Sequence, residues 1–455
     1  MKRICLLALM MALVLVVTGC SLVVKDPEVD AKRTIIDFGD QKVDKATFIK
    51  AYNNAYNSEL SMQQMYQQFG MIQQVNVNPE QIMQQTMDGM VNRMVLLKRA
   101  KELKLDVLTD EQQKALDEKV DASWQGVLDE IKQYDFAQTE LTGEELDAAI
   151  AERATEYGIT REAVDTSEAE NQMLETLKTD SVKDVTVTDE EIKADFDAKV
   201  EEAKAQYTAD ANAYGSAFNS GAPVYYAPEG YRLIKQVLVK FLPEDQTVID
   251  EAQAAVRAAQ TALTTAQNDV NTNTAALAAE DITDEDKTAL TAQGEELAKT
   301  LADATAALDA ANGTLTEAKD AGYANIKEKA DDIVAQARAG ESFDALMEQF
   351  NEDPGTPATG YAIREGFASF DTAFVTPAMA LKSIGDVSDP SPGVYGYYIV
   401  QYAGDVPEGA VALDGVRQGL HDALLVKNKD DAYAALTAEW VAQSGIKTYM
   451  ERVTD

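Results

Sequence analysis

Imidazole and thiolate chemistry is nearly absent from this sequence. In 455 residues there is one histidine, His421, and two cysteines, Cys5 and Cys20. A Cys/His zinc site cannot be assembled from them. A Cys–His or Ser–His pair would have to be built on His421, which falls in a helical stretch near the C-terminus and reads as a surface helix residue rather than a pH switch. Asp284 and Asp286 could be taken for the start of a calcium loop, but the central Gly and the closing Glu are missing. No metal and no cofactor is expected. Asp and Glu number 78 against 40 Lys and Arg, a formal net charge of −38. A surface this acidic repels phosphate backbones, which argues against nucleic acid as a partner. The same acidity serves solubility, or keeps a molecule monomeric and away from anionic lipid.

One thiol has an informative context. Lys2 and Arg3 precede an apolar run from Cys5 to Val17. That run is too short for a spanning helix of ~20 residues and has the length of a signal h-region. It ends in Val17-Thr18-Gly19-Cys20-Ser21, which resembles a bacterial lipobox. The expectation is a signal peptide over 1–19, a diacylglyceryl thioether on Cys20 and a tether over 20–33. The protein would then sit lipid-anchored on the extracytoplasmic face of the cell membrane, with no disulfide to staple it.

Behind the tether the periodicities predict an α+β chain. Thr34–Phe38 reads as a strand, closed by a turn at Gly39-Asp40. Helical character begins at Asp44. Seven of the 14 methionines lie between Met62 and Met94. Met83, Met87, Met90, Met94 and Leu97 fall on one helix face, which is either core filler or a pliable surface for varied partners. Thr188-Asp-Glu-Glu191 is a capping box opening a helix through Val200. Residues 207–228, rich in Ala, Gly, Ser and Tyr, read as a linker, and Tyr231–Phe241 as a strand. Two Ala-rich heptad arms follow, with a polar turn around Thr283 between them. They predict an antiparallel helical hairpin over 246–322, each arm of ~29 residues about 43 Å long. Such hairpins are spacers or dimerisation arms, so the oligomeric state stays open between monomer and dimer. A helix over Asn325–Arg338 stops at Gly340, a strand covers Gly396–Tyr402, and helices over Leu413–Lys427 and Asp430–Val441 close the chain.

These segments resemble a family. Tyr231–Val239 looks like the first strand of a parvulin-type (PpiC) peptidylprolyl isomerase domain. Ala339–Asp353, Gly360, Phe374–Leu381, Gly385–Ser388 and Tyr395–Val400 are similar to the segments that follow it, in order. Thr34–Phe48, Thr86–Leu105 with the sequence AKELKLDVLTDEQ, Thr188–Val200 and Gly445-Ile446-Lys447 resemble the helical chaperone segment of PrsA/SurA-like foldases. The resemblance implies a helical chaperone domain over 34–206, completed by 413–455, and a parvulin-like domain over 229–412 carrying the hairpin as an insertion. It places the family's two central histidines at Gln236 and Tyr398, neither of which is histidine. It places Asp353 at a family Asp or Cys position, Phe374 and Met379 on the proline pocket, and Phe370 on an apolar neighbour.

Prolyl isomerisation makes and breaks no covalent bond. Its barrier of ~18–20 kcal/mol is lost amide resonance. A catalyst needs an apolar pocket for the ring and tighter binding of the twisted imide than of the planar one. Gln236 and Tyr398 both donate and accept, so a Gln236–Tyr398–Asp353 network could stand in for the histidine pair. The implied protein is a membrane-anchored folding factor that binds unfolded or partly folded exported chains and isomerises X–Pro bonds. Two alternatives stay open: a non-catalytic holdase with a degenerate parvulin domain, and an envelope assembly lipoprotein whose hairpin captures partners.

Overall fold

The computed structural model describes residues 26–279 and 281–454. The expected signal peptide and Cys20 lie outside the described residues. The chain forms two compact units, Met1–Val187 with Leu425–Asp455, and Thr188–Leu424.

The first unit is set by helix caps and one apolar face. Helix α1 (Pro27–Ala31) follows the N-cap Asp26, and its Asp30 pairs with Lys45 at 2.8 Å, so this end of the expected tether is folded. Strands β1 (Thr34–Phe38) and β2 (Gln41–Asp44) form a hairpin around Gly39, whose φ of 73° suits glycine. Asp44 Oδ1 accepts the Thr47 N–H at 2.9 Å and opens α2 (Lys45–Gln68). Helices α3 (Pro79–Glu102), α4 (Asp110–Asp135), α5 (Glu144–Glu156) and α6 (Arg161–Ser181) complete the outgoing part. The methionine face of α3 turns inward: Met87 is buried with Ile35, Ile36, Phe48 and Val91, and Met83, Met90 and Met94 pack against that cluster. The two expectations for this face are thereby separated in favour of core.

The second unit opens with α7 (Asp189–Ala209), where Thr188 and Glu191 form the predicted reciprocal cap. The stretch expected as a linker is packed instead. It carries α8 (Ala213–Asn219) and β3 (Tyr226–Ala227). Its tyrosines supply the reason: Tyr214 stands edge-on to Tyr231 at 4.7 Å, and Tyr207, Tyr214 and Tyr231 are buried together. Strand β4 (Arg232–Lys240) leads into α9 (Pro243–Leu277), a turn capped by Thr283, and α10 (Asp284–Arg338). The helix expected over Asn325–Arg338 is thus the end of α10, because no proline or left-handed residue interrupts the run. Then come α11 (Phe343–Phe350), β5 (Tyr361–Ile363), α12 (Thr372–Ala380), β6 (Ser391–Gly393), β7 (Gly396–Asp405) and β8 (Gly409–Ala410). Helix α13 (Leu413–Gln443) is continuous where two helices were expected, and only its part from Leu425 belongs to the first unit. Strand β9 (Lys447–Thr448) pairs with β1, and α14 (Glu451–Thr454) brings Val453 into the same core as Ile35.

The central sheet has the antiparallel order β5-β4-β7-β6. Its residues alternate faces with period two. Val237, Val239 and Ile399 pack on Ile249 of α9 and on Ile326, Ala330 and Ile333 of α10, so the hairpin's base is part of this core rather than an appendage. The other face carries Ile234, Leu238, Tyr398 and Val400 under α12. Each buried Val or Ile there contributes about 1.5–3 kcal/mol.

Candidate functional site

The site begins with a gap in strand pairing. Strand β5 covers β4 only at Arg232–Ile234. Beyond that the β4 edge needs other partners, since unpaired backbone groups are costly. The loop after α11 supplies them: Asn351 Oδ1 accepts the Leu238 N–H at 2.9 Å, the Glu352 N–H donates to the Leu238 carbonyl at 3.0 Å, and a Glu352 carboxylate oxygen accepts the Lys240 N–H at 2.6 Å. This docks the next residue, Asp353, over Gln236. At the loop's far end Gly360 takes φ 83°, and a Cβ there would stand 2.7 Å from the Ile234 carbonyl oxygen. Only glycine closes the loop this tightly.

Asp353 then collects donors. Its Oδ2 accepts from Gln236 Nε2 at 2.7 Å, Thr356 Oγ1 at 3.1 Å and the Tyr361 hydroxyl at 3.2 Å, and its Oδ1 accepts the Gly355 N–H at 3.1 Å. Gln236 Nε2 also donates to Thr356 Oγ1 at 3.1 Å. Burial pushes the Tyr361 phenol above its ordinary value, so it stays a neutral donor.

The register pairs Leu238 with Tyr398 and Gln236 with Val400, which sets Tyr398 on the same face as Gln236. The Tyr398 hydroxyl makes no hydrogen bond among the described residues. Burial, with the negative Asp371 as the next contribution, pushes its phenol well up. Asp371 ties the opposite wall together: Oδ1 accepts the Ala373 N–H at 2.9 Å at the start of α12, and Oδ2 accepts the Val394 N–H at 2.8 Å. Gly393 permits that contact, since a Cβ there would lie 2.3 Å from the Tyr398 ring.

Between these parts lies a cleft of about 590 Å³. Gln236, Asp353 and Tyr398 form its polar side, Leu238, Phe370 and Phe374 its apolar side, and Lys240 and Tyr395 its rim. Phe370 and Phe374 are 5.3 Å apart, and Phe374 meets Tyr398 edge-on at 6.1 Å.

Of the residues expected at the site, the structure therefore gathers Gln236, Asp353, Tyr398, Phe370 and Phe374. Met379 packs against the same cluster but does not line the cleft. It lies five positions beyond Phe374 on a helix, which turns it to another side, and its carbonyl accepts from Arg232 Nη1 at 3.2 Å. The expected three-residue network differs in one member, since Tyr361 rather than Tyr398 donates to Asp353. Asn351, Thr356, Tyr361, Asp371 and Gly393 were not anticipated. The spacing Asn351-x-Asp353-Pro-Gly-Thr356 was the available signal, because Asn, Asp and Thr in a Pro-Gly turn bond local backbone. His421 stands apart on α13, with Nδ1 3.0 Å from an Asp422 carboxylate oxygen. Among the described residues no cluster of three or more His, Cys, Asp or Glu could hold a metal ion, and no helix is long and apolar enough to cross a membrane.

Comparison with known proteins places both parts. Residues 2–134 match the SurA-like N-terminal domain, and residues 313–404 match the PPIC-type PPIase domain. The chain thus carries one segment similar to SurA-like chaperones and a second similar to parvulin-type isomerases, in the order seen in PrsA/SurA-like foldases. It is 27% identical over 126 residues to the foldase protein PrsA of Clostridium botulinum (strain 657 / Type Ba4), covering 27% of this chain and 37% of that one. It is 31% identical over 98 residues to foldase protein PrsA 2 of Listeria innocua serovar 6a, covering 21% and 33%. These alignments span little more than a third of the relatives' length. The crystal structure of foldase protein PrsA from Streptococcus pneumoniae str. Canada MDR_19A aligns over 92% of this chain and 97% of that one, at 14% identity and a TM-score of 0.23. The parvulin match begins inside α10, so β4, which pairs with both β5 and β7, precedes it by a hairpin.

Proposed function

We propose that this protein is an extracytoplasmic folding factor, lipid-anchored to the membrane through Cys20, that binds unfolded exported chains and catalyses cis/trans isomerisation of their X–Pro bonds. The observation that carries this reading is the cleft itself: Tyr398, a neutral phenol whose hydroxyl makes no hydrogen bond among the described residues, faces an apolar pair, Phe370 and Phe374, in the segment that matches the PPIC-type PPIase domain. The prolyl ring seats against Phe370, Phe374 and Leu238. Tyr398 donates to the imide as its carbonyl leaves the planar geometry, an interaction stronger in the twisted state than in the planar one. Both Gln236 amide hydrogens are already spent on Asp353 and Thr356, so Gln236 and Asp353 hold the loop and the cleft's shape rather than touch the imide. No nucleophile and no cofactor is required.

The test is isomerisation of a prolyl peptide by the full chain. Phe374 is 1% exposed, so Phe374→Ala would damage the core as well as the cleft. Half-buried Phe370 is the better probe. Phe370→Ala and Tyr398→Phe should each lower kcat/KM about tenfold or more, with the circular dichroism spectrum retained. A wild-type rate no faster than the uncatalysed one would reject the isomerase reading.

A second reading, a non-catalytic holdase, is favoured by one observation. Met62, Met65, Phe69 and Met71 are 41–70% exposed around the end of α2. Methionine and aromatic side chains there offer adaptable apolar contact for unfolded chains. Suppression of aggregation that persists in Tyr398→Phe but falls in a Phe69→Ser, Met71→Gln double variant would support it.

A further inference from the structure

The first unit holds a second, smaller cavity, of about 270 Å³, lined by Phe38 of β1, Lys98, Arg99 and Glu102 of α3, and Trp440 near the end of α13. Two cations stand against two aromatic walls. Lys98 Nζ lies 4.5 Å from the Phe38 ring centre, and the Arg99 guanidinium 5.8 Å from that of Trp440. Arg99 Nη1 donates to a Glu102 carboxylate oxygen at 3.1 Å. Its Nε is buried and meets no acceptor among the described residues. Lys98 has no carboxylate partner among them either. The cavity therefore carries more positive than negative charge, Lys98 and Arg99 against Glu102, beside two aromatic rings.

We propose that this cavity is a carboxylate site for the C-terminal residue of a polypeptide, with the α-carboxylate between Lys98 and Arg99 and an apolar side chain against Phe38 and Trp440. The planar guanidinium and the ammonium both suit a carboxylate. A terminal apolar residue carries its carboxylate and its apolar side chain on one carbon, which an internal Asp or Glu does not. A volume of about 270 Å³ has room for one residue. This site lies in the unit that does not contain the prolyl cleft, and the proposal stands or falls without the isomerase reading.

The experiment titrates the full chain with N-acetyl-Ala-Ala-Phe carrying a free carboxylate, with its C-terminal amide, and with N-acetyl-phenylalanine. Trp440 emission is read in a Trp124→Phe background and calorimetry gives affinities. The free tripeptide should bind saturably and at least tenfold more tightly than its amide. Lys98→Gln should weaken it about tenfold and Lys98→Arg should restore most of the loss. Added 0.5 M NaCl should weaken it as well. Equal binding of acid and amide, or no saturable binding of the acid, overturns the proposal. Tighter binding of N-acetyl-phenylalanine than of the tripeptide assigns the site to small aromatic acids and overturns the terminus assignment. Arg99→Gln is a second probe, and where it fails to fold the Lys98 pair decides.

Discussion

At Gln236 a primary amide does fixed structural work that a histidine could not copy hydrogen for hydrogen: both Nε2 hydrogens are committed, to Asp353 and to Thr356. Gln236→Leu removes both while keeping size. It leaves the half-buried Asp353 carboxylate short of one donor, so the expected loss is about 1–3 kcal/mol of stability with a lowered Tm, read by thermal denaturation. Isomerase activity should fall with it as the loop loosens. The cleft contains no imidazole, and the Tyr361 and Tyr398 phenols are both pushed above their ordinary value, by burial first. Neither phenol loses its proton between pH 6 and 9, so kcat/KM should show no inflection near 6.5 and no fall towards 9. A clear inflection near 6.5 would point to another group. At this scale the sequence placed Gln236, Asp353 and Tyr398 through the order of parvulin-like segments. It could not show that Tyr361 is the phenol bonded to Asp353, because that depends on how the 351–360 loop docks on an uncovered strand edge, and no periodicity reports loop docking.

At the scale of elements, caps and glycines carry the sharpest expectations. The Thr47 N–H holds the Asp44 carboxyl below the usual carboxylate range. A depressed folded-state value means the cap's contribution is present above the unfolded value near ~3.9 and is lost as pH falls through the folded one. Asp44→Ala should cost about 0.5–2 kcal/mol at neutral pH and progressively less in acid, measured by urea denaturation at both. Two glycines inside α10 should respond with opposite signs. A Cβ at Gly322 would lie 2.8 Å from the Phe241 ring, whereas one at Gly313 meets nothing within 4 Å. Gly322→Ala should therefore destabilise by about 1–3 kcal/mol and Gly313→Ala should stabilise by about 0.5–1 kcal/mol. Strands and long helices were legible from period two and from the 3–4 spacing. The packed segment 207–228 was not, because its cohesion comes from side-chain contacts without a period: Tyr214 meets Tyr231, and Tyr231 meets Phe367 far along the chain. The length of α10 was missed for a related reason: its C-terminal part is held by the sheet, and the heptad pattern marks only the part held by α9.

For the whole molecule, the hairpin divides into a base and a distal part. The base carries Ile249, Ile326 and Ile333 in the sheet's core, while the distal part is held chiefly by α9 against α10, with Asn273 buried there and donating to the Leu290 carbonyl at 3.1 Å. Replacing residues 260–312 with a short turn should leave the second unit folded and its isomerase rate within about twofold, since the cleft lies on the opposite face of the sheet. A collapse of far-UV helicity beyond the residues removed would contradict this division. The first unit has a different dependence. Its β1 pairs with β9, and Val453 is buried beside Ile35 and Phe48, so its innermost layer joins residues that precede the second unit to residues that follow it. A chain made from its N-terminus presents Ile35 and Phe48 long before Val453. While the entire second unit is being synthesised, those apolar side chains wait without that cover.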